Sequence, residues 1–313
     1  MSIPHGIKRL GVLGAGQMGT GIAFVSALHA KVPVLLHDKS AHQISKGLSL
    51  IDKLLAKDVS KGRLQASDAA DARARIQTAD SVEAMRDVDM VVEAVSENLD
   101  LKRAIFREFA AKIRPDAILA TNTSSISITK IAGAVIPEGE PAAGEVAKAV
   151  SGRVVGLHFF NPVPVMWRVD AMYEYQKLVE LISAVQTSQD TLDRSRAFAE
   201  ACGKEVATSQ DVPGFVSNAL LMPFINEAIM CLEKGVATRD DIDKTFRLGM
   251  AHPMGPLQLG ELLIGLDTCL SIQQTLYKGT SDSKYRPSVL LERMVDAQYL
   301  GKKSGRGFYE YNN

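Results

Sequence analysis

Two short stretches carry groups that can move a proton. GLHFFNPVPVM sets His158 behind an apolar run, and TNTSSIS sets Asn122, Ser124 and Ser125 behind another. A neutral imidazole is a base suited to pH near neutrality, and hydroxyls beside it can hold the oxygen that gives up its proton. That chemistry is needed wherever a hydroxyl is deprotonated as a hydride departs. A histidine after an apolar run is more often structural, and a hydroxyl-rich turn more often caps a helix. Here Asn161-Pro162 forces an extended or turn conformation just after His158. Both stretches would also end at the carboxyl edge of a parallel sheet, where open α/β folds bind ligands.

Short Val/Ile/Leu-rich runs at 9–14, 32–38, 90–95, 117–122 and 153–160 have helical stretches between several of them. They read as strands buried on both faces of a mostly parallel sheet. A long helical segment, 42–78, carries Lys46, Lys53, Lys57, Lys61 and Arg63, and taken alone it reads as a solvated amphipathic arm. AVIPEGEPAAGEVAKAVSG, residues 134–152, reads as a surface stretch with an insertion at 137–150. From Pro213 onward the apolar residues recur at helical spacing. Thr238 with Asp241 marks a helix start, and the only later strand signal is GRGFYEY. The expected architecture is a Rossmann-type α/β domain over 1–211 and an all-helical domain over 212–313.

Gly14, Gly16 and Gly19 form GxGxxG between a strand and a helix, and the second strand ends in Asp38. The first glycine permits the turn, the second admits a pyrophosphate, and the third lets helix pack on strand. Asp38 would accept from the ribose hydroxyls and repel a 2′-phosphate, which favours NAD over NADP despite the neighbouring Lys39.

Eight ordered motifs then decide a resemblance: GAGQMG, VVEAVSENLDLK, TNTSS, GLHFFNPVPVM, KLVELI, DVPGFVSNALL, AHPMGPLQL and GKKSGRGFYEY. From about residue 8 to 311 the chain resembles the L-3-hydroxyacyl-CoA dehydrogenases, including the 3-hydroxybutyryl-CoA dehydrogenases. The resemblance implies reversible NAD-linked oxidation of an (S)-3-hydroxyacyl-CoA to the 3-ketoacyl-CoA. It makes His158 the base and Glu180 its orienting partner, with Ser124 and Asn218 on the substrate oxygen in a site where the domains meet. It assigns Gly14, Gly16, Gln17, Met18, Gly19, Asp38, Glu97, Lys102, Ser124, Asn161 and Lys303 to the cofactor. Lys61 falls at the position associated with CoA, whereas Leu54 stands where a small polar residue is frequent.

The family pattern is interrupted after HFFNPVPVM, where WRVDAMYEYQ, residues 167–176, intervenes before KLVELI. Without a gap, Asp170 would take the place of the orienting carboxylate; with a ten-residue gap, Glu180 does. Glu180 is favoured because Lys177-Leu178-Val179 and Leu181-Ile182 continue a buried strand around it.

Charges balance at 36 basic and 36 acidic residues, so no bulk field draws the chain to nucleic acid or an anionic membrane. Cys202, Cys231 and Cys269 show no metal or disulfide spacing, and no apolar run reaches the roughly 18 residues of a membrane span. A soluble, cytoplasmic homodimer acting on a small acyl-CoA is expected, with no metal. The rivals are an L-gulonate 3-dehydrogenase, or the related lens crystallin, and a non-catalytic NAD-binding protein. The full set Ser124, His158, Glu180 and Asn218 opposes the latter.

Overall fold

The Val/Ile/Leu runs become strands of one sheet: β1 (Leu10–Leu13), β2 (Val34–His37), β4 (Met90–Glu93), β5 (Ile118–Thr121) and β6 (Val154–Phe159). Two more strands have little such signal in the sequence, the three-residue β3 (Ile76–Thr78) and the polar β8 (Glu205–Gln210). Between β6 and β8 lies β7 (Leu178–Ser183), which contains KLVELI residues. The computed structural model describes residues 5–164 and 177–311, and the chain divides into two units, 1–211 and 212–313.

The strand order is β3-β2-β1-β4-β5-β6-β7-β8. Pairing is parallel from β3 through β6 and again between β7 and β8, while β6 and β7 run antiparallel. Every residue of β1, β4, β5 and β6 is buried, as strands covered on both faces must be. The carboxyl ends of β1, β4, β5 and β6 therefore lie along one edge, where their loops are free to carry chemistry.

Helices α1 (Gln17–Leu28), α2 (Ala41–Ser60), α3 (Ala66–Ala74), α4 (Leu99–Lys112), α5 (Ile128–Ala134), α6 (Glu145–Ser151) and α7 (Gln189–Ala201) complete the first unit. The arm read as one helical segment over 42–78 is two helices, and its last three residues are the strand β3. Lys61 closes α2, and Gly62 at φ +66° turns the chain before α3. The surface insertion contains α6, which buries Ala147 and leaves Val146 half-exposed.

The second unit holds α8 (Ser217–Glu233), α9 (Arg239–Lys244), α10 (Pro256–Gln258), α11 (Leu266–Thr280) and α12 (Val289–Asp296). Its core joins Met222, Ile225, Ile229, Leu257, Leu266, Cys269, Leu276 and Leu291. Thr238 caps α9 by accepting from the Asp241 amide at 3.2 Å. GRGFYEY makes isolated bridges and no strand. Instead the buried Glu261 carboxylate accepts from the amides of Phe308 and Tyr309 at 2.6 and 3.1 Å and from the Tyr311 hydroxyl at 2.6 Å. An internal carboxylate has replaced a neighbouring strand as hydrogen-bond partner, which sequence periodicity does not report.

All three cysteines are free, and burial pushes Cys202 and Cys269 up to about 12, so neither is a ready nucleophile. Among the described residues no helix is long and apolar enough to cross a membrane.

Candidate active site

The glycine turn follows β1. Gly14 adopts φ +106°, and a β-carbon there would stand 2.5 Å from the Ala94 carbonyl oxygen. One at Gly19 would stand 1.8 Å from the Gly14 carbonyl oxygen. Side chains are sterically excluded at both positions. Gly16 differs, because a β-carbon there would meet nothing within 4 Å, and Gly16 is also the uncapped N-terminal residue of α1. Open space before an uncapped helix N-terminus fits a pyrophosphate group. Asp38 reaches the same turn, accepting from the Ala15 amide and the Ser40 amide, each at 2.8 Å. Met18 is partly buried against the sheet core.

After β4, Glu97 gathers the TNTSS turn that follows β5. Its Oε1 accepts from the Thr123 hydroxyl at 2.5 Å and from the amides of Ser124 and Ser125 at 2.8 and 3.1 Å. Burial alone would raise the Glu97 pKa. The Lys102 charge, the Thr123 hydroxyl and those two amides outweigh it and hold the carboxyl below its ordinary range. Asn122 ties the turn to the next strand, its Oδ1 accepting from the Phe159 amide at 2.8 Å. Asp211 caps α5 just beyond, accepting from the Ser127 hydroxyl and the amides of Ile128 and Thr129. Sequence reading missed Asp211, whose partners lie 82–84 residues away.

His158 stands one residue before the end of β6 and is the register partner of Glu180 on β7. Side chains of directly paired residues lie on one face of a sheet, and here His158 Nδ1 is 2.9 Å from Glu180 Oε2. Both are buried, at 8% and 1% exposure. The Phe160 ring packs on the imidazole, centroid to centroid at 4.7 Å. Asp170, with the rest of 167–176, lies outside the described residues.

The loop after β6 has a cis Asn161-Pro162 peptide, and Asn161 Oδ1 accepts from Gln17 Nε2 at 2.7 Å. Gln17, Asn161 and the glycine turn thus come together, as do Ser124 and Glu97. Lys61 is exposed at the end of α2. In the second unit, Asn218 is buried near the start of α8, and Lys303 pairs with Asp267 at the start of α11.

Residues 9–212 match the 3-hydroxyacyl-CoA dehydrogenase NAD binding domain, and residues 214–311 match the C-terminal domain of the same family. The chain belongs to the 3-hydroxyacyl-CoA dehydrogenase family. It is 45% identical to the 3-hydroxybutyryl-CoA dehydrogenase of Bradyrhizobium diazoefficiens, over 97% of this chain and 96% of that one. A probable 3-hydroxybutyryl-CoA dehydrogenase of Bacillus subtilis is 44% identical, over 97% of this chain and 98% of the other. The crystal structure of the Ralstonia eutropha (S)-3-hydroxybutyryl-CoA dehydrogenase superposes with a TM-score of 0.87 at 40% identity, covering 98% of this chain and 100% of that one. Like its family, this 3-hydroxyacyl-CoA dehydrogenase is an NAD-dependent oxidoreductase, and its first unit is the NAD-binding domain.

Proposed function

We propose that the protein interconverts short-chain (S)-3-hydroxyacyl-CoA and 3-ketoacyl-CoA, with 3-hydroxybutyryl-CoA as a substrate, in fatty-acid metabolism. The observation that carries this reading is the 2.9 Å contact between His158 Nδ1 and Glu180 beside the nucleotide-binding edge. NAD supplies the acceptor for the hydride released from C3 of the substrate.

The chain's own residues handle the proton. His158 takes it from the 3-hydroxyl through Nε2, and the Glu180 carboxylate holds the tautomer that keeps Nδ1 protonated. The imidazolium formed is stabilised by the same carboxylate and returns the proton in the reductive direction. Ser124 and Asn218 are assigned to the substrate oxygen. Asp38 is assigned to the ribose hydroxyls, with Gly14, Gly16, Gln17, Met18, Gly19, Glu97, Asn161 and Lys303 also on the cofactor side. Lys61 is assigned to the CoA phosphates, which suits an exposed ammonium at the end of a solvated arm.

A homodimer is part of the proposal. The second unit exposes Leu220, Leu248, Met250 and Leu263, each more than half accessible. It also has an apolar cavity of about 510 Å³ bounded by Phe224, Cys231, Ile242 and Phe246. An apolar surface of this kind is typical of an interface between copies. The proposed setting is fatty-acid β-oxidation in the cytoplasm.

The test is the oxidation of NADH by purified protein with acetoacetyl-CoA, set beside the reduction of NAD with L-gulonate. Turnover with acetoacetyl-CoA alone is expected. Turnover with L-gulonate alone would transfer the protein to sugar-acid oxidation, and NADH binding without turnover on either would make it a sensor.

A further inference from the structure

Family resemblance assigns Lys102 to the cofactor, but its ammonium has no exposure and lies between two carboxylates, 2.6 Å from Glu93 Oε1 and 3.5 Å from Glu97 Oε2. Glu93, the last residue of β4, is itself fully buried. Its Oε1 also accepts from the Val95 amide at 2.7 Å, and its Oε2 accepts from the Thr121 hydroxyl at 2.7 Å. Glu93 is therefore fastened to the ends of two adjacent strands, and Lys102 is fastened to Glu93.

Glu97 stands on top of this pair. Its Oε2 faces Lys102, and its Oε1 takes the three short bonds from Thr123, Ser124 and Ser125 together with longer contacts at 3.3 Å from the Ser124 and Ser125 hydroxyls. Converging donors on one oxygen bind an ionised carboxylate more strongly than a neutral carboxyl, and they need it held in a fixed direction. The Glu97 side chain is 36% exposed, so packing alone does not fix it. The ammonium beneath it supplies the missing restraint.

We propose that Glu93 and Lys102 are positioning residues that aim Glu97 at the TNTSS turn and thereby set the place of Ser124, and that Lys102 acts through Glu97 and not as a ligand of the cofactor. This rests on the reading that Ser124 works at the substrate oxygen. The charged groups set against Glu97 are Lys102 and, behind it, Glu93. Removing the ammonium raises the pH at which Glu97 takes a proton, and a proton on Oε2 leaves Oε1 a neutral carbonyl oxygen that holds those bonds more weakly than a carboxylate does.

The test is hydrogen exchange, by mass spectrometry, of the peptide spanning 121–127 in protein free of cofactor, comparing wild type with the Glu93→Gln/Lys102→Met double variant. Both buried charges leave together, so neither is stranded, and neutral replacement of a buried pair is commonly tolerated. Protection of residues 10–13 in β1 serves as the folding control. At about pH 7.5 the double variant, without the ammonium that restrains Glu97, should lose protection by about threefold or more, and at about pH 5.5 by about tenfold, while wild type, read at the same pH, does not. Equal protection at both pH values would overturn the proposal.

Glu97→Gln, at an accessible position, gives the second arm: it should lose protection at both pH values, and wild-type protection there would also overturn the proposal. NADH titration at about pH 7.5 separates positioning from ligation: the double variant should weaken binding no more than Glu97→Gln does, and weakening about tenfold beyond that of Glu97→Gln would make Lys102 a direct ligand. Failure of wild type to reduce acetoacetyl-CoA would sink the functional reading alone, because the exchange test needs neither substrate nor turnover.

Discussion

Glu180 reaches His158 because β7 runs antiparallel to β6 with Leu157 opposite Leu181 and His158 opposite Glu180. The two side chains share a sheet face, and the ring nitrogen lies 2.9 Å from the carboxylate. Glu180→Gln should lower turnover by about a hundredfold or more, the scale of losing an effective acid–base group. NADH affinity should change little. Asp170→Asn, measured in parallel, should remain within about threefold of wild type. The reverse ranking would hand the orienting role to Asp170.

His158→Gln should abolish most of the rate while NADH still binds, since the imidazole acts on the substrate proton and not on the adenosine half. In wild type the neutral imidazole is the competent form for oxidation, so oxidation should rise with pH. Reduction begins from the imidazolium and should show the opposite slope. Initial rates in both directions across one pH series check the sign, and parallel slopes would remove His158 as the proton carrier.

Cofactor choice turns on Asp38, whose carboxylate already bridges the Ala15 and Ser40 amides beside the glycine turn. NADH should be preferred over NADPH, and Asp38→Asn should narrow the kcat/KM ratio by about tenfold as the repulsion of a 2′-phosphate is removed. Equal efficiency with both cofactors in wild type would exclude Asp38 from this role.

Light scattering at micromolar protein should give the mass of a dimer. Leu248, 74% exposed in the second unit, offers a direct probe. Leu248→Glu should weaken the dimer by about tenfold or more if this leucine is buried between copies. An unchanged dimer would move the interface elsewhere, and a monomeric wild type would remove it.

Lys204 gives a stability prediction tied to the loop after β6, because its ammonium donates to the Val163 carbonyl at 2.6 Å. Burial lowers its pKa from 10.5 to about 8, with the nearby Cys202 opposing the shift. A cation whose folded pKa is depressed destabilises the fold at low pH, and the penalty is relieved as pH rises from about 8 to 10.5. The Tm of wild type relative to Lys204→Met should therefore rise across that window. A flat difference would mean that the ammonium is solvated in the folded protein.

Much of this molecule is written locally. Gly14 and Gly19 occur where no side chain fits, the Val/Ile/Leu runs mark strands covered on both faces, and Asp38 ends the strand that must approach the glycine turn. Each of these depends on residues within one βαβ unit, so periodicity and spacing are enough to find them. His158 and the TNTSS hydroxyls were legible for the same reason, since each follows an apolar run.

Tertiary structure decided the partnerships. Whether Glu180 meets His158 depends on strand direction and register, and a one-residue slip would turn the carboxylate to the other face. Glu93 looked like one more residue of a buried strand. Only the return of α4 brings Lys102 over it, and only the neighbouring β5 brings Thr121 to its second oxygen. Glu261 likewise takes the final FYEY segment away from strand pairing, across 47–50 residues of chain. Burial makes such charges costly unless they are paired, but the partner can come from anywhere the fold permits. The sequence therefore names the groups and their chemistry, whereas long-range packing selects which of them touch.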